Sequence, residues 1–360
     1  MKHIKQQEIA KKLQLSRATV SRCFTNHPGI NPETRARVFE TAAELGYRHL
    51  TSRSNNTKNK TTQTTFAVLI CTTEEEYYRK DYENSGKSIL KGISEYSQIH
   101  KIHLSIHFVD PSETSIQSAN YKHLLASYSK QWDGILLVHP LPKNIVDYLA
   151  LRFPCVSTVE QQSKVNLNCV DVDHYQGIAY LIDYLHDNGH KRIAFYTKRY
   201  KFCQSWVMRR AGAYFEKMTK LGLKIDPIDM INTHPNQMHS LEESFDLAQN
   251  AIYNGVTAIL CAADHQAYDL VKGLEARGIS VPEDVSICGF DGIQKPEGSI
   301  EICTVKIPNY EIGYYASERL FEHSKKRYST THHSLLSCNL IKGASISQNQ
   351  AHKRLILNDC

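Results

Sequence analysis

Two arginines near the N-terminus, Arg17 and Arg22, lie in a short polar stretch whose residue types suit contact with nucleic acid. A guanidinium forks to two acceptors and can pair bidentately with the edge of a guanine, and the small side chain of Ala18 leaves room for a thymine methyl group. The short polar side chains around them suit phosphate oxygens. These side chains belong to Ser16, Thr19, Ser21 and Asn26. The stretch therefore predicts a surface that reads base edges.

Other kinds of chemistry have weaker support in the sequence. The stretch Asn84–Ser88 reads NSGKS, but a phosphate-binding P-loop would need glycine where Asp81 stands. Neither G-x-G-x-x-G nor G-x-S-x-G occurs, and no spacing nominates a catalytic triad. The ten cysteines include no CxxC pair. His332 and His333 near Cys338 are the nearest metal candidate, and a polar loop is the preferred interpretation. We expect no enzyme activity, metal or cofactor.

The charge is unevenly placed along the chain. Residues 1–60 hold twelve Lys and Arg against four Glu, a balance of +8, whereas the whole 360-residue chain is +6. The rest of the chain is therefore slightly acidic. A basic N-terminal segment indicates a nucleic acid partner, because Lys and Arg neutralise phosphates. A basic head without a partner, or a three-helix module that binds protein, is the alternative.

The N-terminal pattern predicts three short helices with inward apolar faces. Ser16 is a good N-cap for the second helix, and Asn31 followed by Pro32 begins the third. The predicted inward residues are Ile9, Ala10 and Leu13, then Val20, Cys23 and Phe24, then Val38, Phe39, Ala42 and Leu45. A tight turn between the first two helices makes a helix-turn-helix, whose second helix enters the major groove.

From Phe66 onward, short apolar strands alternate with amphipathic helices. Such alternation predicts parallel sheets with helices on both faces. The segment of about 275 residues exceeds one ordinary core, so two α/β lobes are expected. Ligands of such folds bind at the carboxyl ends of the strands. No apolar run approaches the ~20 residues that span a bilayer, and the first residues lack the apolar core of a signal peptide. We therefore expect a cytoplasmic protein.

Residues 8–47 resemble the DNA-binding head of the LacI/GalR family of bacterial transcription regulators. The resemblance is carried by S-x-x-T-V-S-R from Ser16, N-P-E-T-R-x-R-V from Asn31, and A-x-E-L-G-Y ending at Tyr47. It extends more weakly over the rest of the chain, as in D-x-x-x-G from Asp173 and G-F-D at Gly289–Asp291. The resemblance implies an all-α helix-turn-helix head followed by a two-lobed α/β, periplasmic-binding-protein-like domain with parallel sheets.

The resemblance also implies residues that bind a small-molecule effector. The family's R-x-x-G element maps its arginine to Arg209, three residues before Gly212, and the family's G-[FY]-D element maps its aspartate to Asp291. In the family these two residues bind effector hydroxyls, and the chemistry fits, because a guanidinium and a carboxylate pair well with neighbouring hydroxyls. A surface arginine and a turn-forming aspartate are the alternative interpretations.

Two departures from the family put the identity of the effector in doubt. Where the family often has an Asn-Asp pair, this chain has Ala263 and Asp264, so only the carboxylate remains. The first loop is longer, acidic and rich in tyrosine, and its Tyr77, Tyr78 or Tyr82 could stack on a sugar face. Glu160 and Trp206 lie in loops expected to face the cleft between the lobes. We expect the effector to be contacted by Tyr78, Glu160, Trp206 and Asp264, together with Arg209 and Asp291.

The segment at residues 49–65 takes the place of the family's DNA-bending hinge. Tyr47 is kept, but the apolar wedge is replaced by Asn56, and Arg53 adds positive charge. We therefore expect a basic segment that follows phosphates, with Tyr47 and Arg53 contributing to DNA binding. The predicted domains are the head at 1–48, the hinge at 49–65, the two-lobed domain at 66–343 and a C-terminal tail at 344–360.

Together these features predict a sequence-specific DNA-binding transcription regulator that represses carbohydrate-related genes. A homodimer would place two heads on a palindromic double-stranded operator, since a twofold protein reads a twofold sequence. A sugar or sugar derivative would modulate operator binding. Two alternatives stay open: a dimeric DNA-binding regulator without a sugar effector, and a regulator with a non-sugar ligand. A solute-binding protein of the transport type would lack the basic head and carry an export signal.

Overall fold

The structure is a computed structural model that describes residues 5–24, 27, 29–45, 63–73, 77, 85–161, 167–198, 200, 204–233, 239–326 and 330–348. The described residues form two compact units. Unit 1 contains those up to Asp171 together with Asn309–Leu335, and unit 2 contains those of Val172–Pro308 and those from Leu336 onward. Within the described residues, no helix is both long and apolar enough to cross a membrane.

Helices and strands alternate along most of the described chain, with 3-10 turns at Ser129–Gln131 and Pro227–Asp229. In chain order the elements are α1 (Gln6–Leu13), α2 (Arg17–Phe24), α3 (Pro32–Glu44), β1 (Thr65–Cys71), α4 (Ser85–Ile99), β2 (His103–Val109), α5 (Ala119–Tyr128), β3 (Gly134–Val138), α6 (Lys143–Ala150), β4 (Cys155–Thr158), β5 (Asn168–Val172), α7 (His174–Asp187), β6 (Ile193–Tyr196), α8 (Ser205–Lys220), β7 (Met230–Ile231), α9 (Leu241–Tyr253), β8 (Ala258–Cys261), α10 (Asp264–Glu275), β9 (Ser286–Cys288), β10 (Thr304–Lys306), α11 (Asn309–Lys325), β11 (His333–Leu336) and β12 (Asn339–Ile341).

The three N-terminal helices bury the apolar residues that their spacing predicts. The buried side chains are Ile9, Ala10, Val20, Cys23, Phe24, Val38, Phe39 and Ala42, while Leu13 and Leu45 are partly exposed. The Ser16 Oγ accepts the Thr19 N–H at 3.0 Å and the Asn31 Oδ1 accepts the Glu33 N–H at 2.8 Å, so both predicted caps are present. Gln14, with φ of 54°, adopts the left-handed conformation that turns α1 into α2.

A buried arginine, which the sequence pattern did not single out, joins α3 to the end of α2. Arg35 is 1% exposed, and its guanidinium donates to the Cys23 carbonyl at 3.2 Å and the His27 carbonyl at 2.9 Å. Carbonyl groups at the end of a helix lack partners within the helix and carry partial negative charge, so a guanidinium satisfies and stabilises them. Arg35 thereby fixes the orientation of the end of α2 relative to α3.

Helix α3 also contacts the strand region of unit 1 through a buried acid. Glu40 is 8% exposed, and its Oε1 accepts a hydrogen bond from the Tyr77 hydroxyl at 3.0 Å. Burial raises the pKa of Glu40 to about 7, although the Tyr77 hydrogen bond and the charges of Lys87 and Arg37 oppose the rise. The ring of Tyr77 packs edge-on against Phe108 of β2 at 4.9 Å between centroids.

The sheet of unit 1 has six strands in the order β11-β5-β4-β3-β1-β2. The strand pairs β1–β2, β1–β3, β3–β4 and β4–β5 are parallel, as the alternation of strands and helices predicts. One apolar core joins β1, β3 and β4 to α5 and α6. Its central side chains include Leu69, Ile135, Leu137, Ile145 and Leu149, all of which are fully buried or nearly so.

On the other helical layer of unit 1, α4 and α11 pack with their backbones in close contact. A Cβ added at Gly92 would lie 1.9 Å from the Tyr310 carbonyl oxygen, and one added at Gly313 would lie 2.0 Å from the Ile89 carbonyl oxygen. Contacts shorter than 3.0 Å to backbone atoms cannot be relieved by moving a side chain, so both positions require glycine. Helix α11 is therefore held against α4 by two reciprocal glycine contacts.

Unit 2 has a parallel four-stranded sheet in the order β7-β6-β8-β9 and an antiparallel pair of β10 with β12. The chain that follows β12 packs against this unit rather than leaving it at residue 343. The Ser345 Oγ accepts the Cys303 N–H at 2.8 Å, and the Ser347 Oγ donates to the Pro282 carbonyl at 2.8 Å. The packed part of the chain thus extends to Ser347, because these serines satisfy buried backbone groups that periodicity does not reveal.

We expect Arg35→Leu to destabilise α2 locally by about 2–3 kcal/mol, because two carbonyl groups lose a charged donor within the core. Amide hydrogen exchange of α2 should then accelerate by about 30-fold or more. Arg37→Leu is the matched control, since Arg37 is exposed on the same helix. Equal exchange rates in the two variants would refute the role given to Arg35.

We expect the stability that Glu40 contributes to fall as pH rises, because ionising a buried carboxyl group costs free energy. The pKa of Glu40 is raised from its ordinary 4.5 to about 7, so its contribution is full below pH 4.5 and declines as pH rises through 7. Relative to Glu40→Gln, the unfolding free energy of the wild type should fall by about 1–3 kcal/mol between pH 5 and 8. Glu33→Gln, at an exposed position of α3, should show no such slope. A difference that is flat with pH for Glu40→Gln would contradict the assignment.

Candidate functional site

Helix α2 exposes the side chains that the sequence assigns to base contacts. Arg17, Ala18 and Arg22 are exposed, opposite the buried Val20 and Cys23. Ala18 and Arg22 are four residues apart and therefore share one face of the helix. Ser16 is exposed at the N-terminus of α2, and Thr19 and Ser21 are half-buried at the edges of this face. The outer face of α2 thus combines two guanidinium groups with short hydroxyl side chains.

Four of the predicted site residues cannot be placed. Asn26, Tyr47, Arg53 and Tyr78 lie outside the described residues, as do residues 49–62 of the predicted hinge. Glu160 is described, and it is a buried residue of unit 1 that follows β4. Its backbone carbonyl accepts a hydrogen bond from the Ser157 hydroxyl, and the preceding Val159 has a positive φ of 61°. Glu160 therefore lies just after the carboxyl end of β4, and its contact with an effector stays a prediction.

In unit 2 the structure brings an arginine and an aspartate together at the carboxyl ends of the strands. Arg210 Nη1 lies 3.1 Å from Asp291 Oδ1, with the arginine side chain 4% exposed and the aspartate side chain 24% exposed. The same guanidinium donates to the Ala262 carbonyl and, through Nε, to His174 Nδ1 at 3.3 Å. A nearly buried guanidinium thus holds a carboxylate that still reaches solvent.

Aromatic rings surround this guanidinium. The Arg210 guanidinium carbon lies 3.8 Å from the ring centroid of Phe290 and 4.7 Å from that of Trp206. Trp206 meets the ring of Tyr200 edge-on at 5.6 Å, and the Tyr200 hydroxyl accepts from Gln266 Nε2 at 2.6 Å. Burial raises the pKa of the Tyr200 hydroxyl. Trp206 is therefore one wall of the cluster, although it lies in helix α8 and not in a loop as expected, and its contact with an effector stays a prediction.

Asp264 supports the loop that carries Asp291. It is 1% exposed, and its Oδ2 accepts the backbone N–H groups of Gly292 at 2.7 Å and Ile293 at 3.0 Å. Its Oδ1 accepts the Thr304 hydroxyl at 2.6 Å. Burial raises the pKa of Asp264 to about 7, and the negative charge of Asp291 adds to the rise, while these three donors oppose it. Both carboxylate oxygens are thus engaged in shaping the site.

The backbone of Asp291 is strained. Its φ of 145° falls in a region that residues with a side chain rarely adopt. The conformation is held because its N–H donates to the Val305 carbonyl at 3.0 Å and its carbonyl accepts from the Ile307 N–H at 3.1 Å. Burial raises the pKa of Asp291, and the Arg210 charge opposes the rise. Strain retained in this way is typical of functional positions.

The stretch Gly289–Gly292 has a physical explanation at each position. A Cβ at Gly289 would lie 2.2 Å from Asp264 Oδ1, so only glycine fits there. Phe290 stacks on Arg210, Asp291 forms the ion pair, and Gly292 donates to Asp264. The four residues of the G-F-D-G sequence therefore act together to position the Asp291 carboxylate.

The arginine that pairs with Asp291 is not the one that the spacing of the family motif indicates. The motif spacing, three residues before Gly212, points to Arg209. The side chain that pairs with Asp291 in the structure belongs to Arg210, and Arg209 is partly exposed. Successive residues of a helix point about 100° apart, so one of two adjacent arginines faces the cluster and the other does not. His174 and Phe290, which contact Arg210, were not selected either. The Arg209-Arg210 pair alone could not decide which side chain faces inward.

Two family models match the chain. Residues 5–49 match the model described as bacterial regulatory proteins, lacI family. Residues 182–346 match a periplasmic binding protein-like domain. The first match covers all three N-terminal helices, and the second covers most of unit 2, including Arg210, Asp264 and Asp291.

Known proteins are similar over nearly the full length. The HTH-type transcriptional repressor CytR of Escherichia coli strain K12 is 26% identical over 343 residues, which are 93% of this chain and 94% of the relative. A solved complex of the transcriptional regulator CelR with cellobiose has a TM-score of 0.60 at 18% identity, covering 95% of this chain and 100% of that chain. The lac repressor dimer, bound to operator and the anti-inducer ONPF, has a TM-score of 0.60 at 18% identity, covering 96% and 100%.

The three-helix head, the parallel α/β units and the full-length relatives all indicate the same kind of protein. The chain combines a DNA-binding head of the lacI family of bacterial regulatory proteins with a periplasmic binding protein-like domain, and its full-length relatives are transcription regulators.

Proposed function

We propose that this chain is a cytoplasmic repressor that binds a palindromic operator as a homodimer and responds to a sugar-like effector bound at the Arg210–Asp291 cluster. The single observation that carries the effector part is the partly exposed carboxylate of Asp291, held by a nearly buried guanidinium. The proposed domains are the head at 1–48, the hinge at 49–65, the two-lobed domain from 66, and a tail that follows the packed residues.

The outer face of α2 supports DNA binding. Arg17 and Arg22 offer bidentate donors for guanine, and Ala18 offers space for a thymine methyl group. Ser16, Thr19 and Ser21 would contact phosphates, and we retain Asn26, Tyr47 and Arg53 as further DNA contacts. The lac repressor, which is similar in fold, was solved as a dimer on its operator, and this supports a homodimer on twofold DNA for the present chain.

The chemistry of the unit 2 cluster supports a neutral, hydroxyl-rich ligand. Asp291 can accept from two neighbouring hydroxyls, Arg210 can donate to a ring or hydroxyl oxygen, and the Trp206 ring can pack on an apolar sugar face. The similar CelR structure contains cellobiose, which is a ligand of this kind. We retain Tyr78 and Glu160 as further candidate contacts from unit 1.

Asp264 and Arg209 take different places in this proposal. The hydrogen bonds to Gly292, Ile293 and Thr304 make Asp264 a positioning residue that holds Asp291 in its strained conformation. Arg209 remains a candidate contact, but we propose Arg210 as the arginine that faces the effector, because it pairs with Asp291.

We expect Arg22→Ala to weaken specific operator binding by at least about 10-fold while the protein stays folded, because a bidentate base contact is lost from an exposed position. Anisotropy titrations would use an operator selected from random DNA and a scrambled duplex. Arg152→Ala, which removes the same charge from an exposed site in unit 1, is the control. Unchanged discrimination between operator and scrambled DNA in Arg22→Ala would refute the assignment of α2.

We expect Arg210→Lys to raise the effector concentration needed for half-maximal response by at least about 10-fold, because lysine keeps the charge but loses the planar fork. Operator affinity without effector should not change. Arg209→Ala should respond within about twofold of the wild type, since the Asp291 carboxylate is held by Arg210.

The readout is operator binding titrated with a sugar panel that includes cellobiose. A lost response in Arg209→Ala, with a normal response in Arg210→Lys, would restore the assignment made from spacing. If the folded wild type responds to no sugar, the Arg210–Asp291 pair is structural and the effector proposal fails, while the proposal for α2 stands.

A further inference from the structure

Helix α3 of the DNA-binding head is buried on two of its sides. One side packs within the head, where the ring of Phe39 lies 5.5 Å from that of Phe24 between centroids. Ala36 and Glu40, which are four residues apart and share another face, are also buried. Since α3 contacts α4 and β2 as well as the other head helices, the head is docked on the rest of unit 1.

Tyr77 is the residue of unit 1 that meets the second buried face of α3. It is fully buried, and its hydroxyl donates to the Glu40 Oε1 at 3.0 Å. Its ring packs edge-on against Phe108 of β2 at 4.9 Å, and the Lys87 Nζ of α4 lies 5.7 Å from the ring centroid. Tyr77 therefore joins the head to both a strand and a helix of unit 1.

The hydrogen bond between Tyr77 and Glu40 specifies the docked position of the head. A carboxyl group that is buried without a partner is costly, so the position of Glu40 is favourable only where a donor such as the Tyr77 hydroxyl meets it. A second polar contact joins Glu33 of α3 to Lys91 of α4 at 3.5 Å, but these side chains are 62% and 43% exposed. Exposed ion pairs contribute little.

The docked head keeps its DNA-binding surface open. Arg35 of α3 donates to the Cys23 carbonyl at the end of α2, so the docking of α3 also fixes the orientation of α2. Arg17, Ala18 and Arg22 remain exposed on α2 while α3 lies against unit 1. Docking thus orients the recognition helix without covering the face that contacts bases.

We propose that Tyr77 and Glu40 are positioning residues that hold the head on unit 1 in its DNA-binding orientation and thereby set the half-site spacing that the regulator accepts. On twofold DNA, each recognition helix must enter the major groove at a fixed distance and rotation from its partner. Heads tethered only by a linker would tolerate many spacings, whereas docked heads accept few. This inference rests on the proposed binding of a homodimer to a palindromic operator.

Amide hydrogen exchange of the full chain without DNA tests the docking itself. In Tyr77→Phe, which keeps the ring and loses the hydroxyl, the amides of α3 around Glu40 should exchange at least about fivefold faster than in the wild type. Tyr310→Phe is the matched control, since the Tyr310 hydroxyl donates to Glu95 and joins α11 to α4 rather than to the head. Its α3 should exchange within about twofold of the wild type.

Operators with altered spacing test the consequence for DNA binding. An operator selected from random DNA is lengthened by two base pairs between its half-sites, which rotates one half-site by about 70° relative to the other. The wild type and Tyr310→Phe should lose at least about 10-fold in affinity on the longer operator, and Tyr77→Phe should lose no more than about threefold. Glu40→Gln keeps an acceptor for the Tyr77 hydroxyl and should retain the wild-type preference.

Three outcomes overturn the inference. Equal exchange of α3 in the wild type and Tyr77→Phe would show that this hydrogen bond does not hold the head. An equally sharp spacing preference in these two proteins would remove the role in DNA binding. Loss of the preference in Tyr310→Phe as well would assign the effect to general loosening of unit 1. A wild type that binds no twofold operator refutes the proposed function and the spacing role with it, while hydrogen exchange still decides the docking.

Discussion

The strained conformation of Asp291 is the constraint on which the effector half of this protein depends. Three separate devices maintain it: hydrogen bonds from the β10 region to its backbone, the Asp264 carboxylate beneath the following amide groups, and the Arg210 guanidinium on its side chain. Each device comes from a different part of unit 2. The carboxylate can therefore stay at the protein surface in one orientation, which is the preorganisation that a polar ligand site requires.

The same logic applies to the DNA-binding head, where charged side chains are buried to fix geometry. Arg35 closes the end of α2 and Glu40 joins α3 to Tyr77, yet neither side chain is free to contact DNA. The exposed arginines of α2 depend on these buried groups, because they fix the direction in which α2 points. In both regions few residues contact the partner, and buried polar residues behind them fix the orientation of these contact residues.

Much of the fold could be predicted from the sequence, and the reasons are physical. The strands of unit 1 and unit 2 are continuous apolar runs, and the caps at Ser16 and Asn31 are local signals. Exposure of Arg17 and Arg22 followed from the apolar stripe opposite them. The choice between Arg209 and Arg210 did not follow, because it depends on how α8 packs in three dimensions. The supporting role of Asp264 depends on contacts between residues far apart in the chain, such as its contact with Thr304.

The glycine contacts between α4 and α11 bear on the order in which the chain is made. Helix α11 follows most of unit 2 in the sequence, yet it completes unit 1 by lying against α4 at Gly92 and Gly313. During synthesis, which runs from the N-terminus, the apolar side of α4 must wait until residue 325 has left the ribosome. Unit 1, which starts first on the ribosome, therefore stays open while Val172–Pro308 of unit 2 is being made, and chaperones have a long interval in which to bind its unfinished surface.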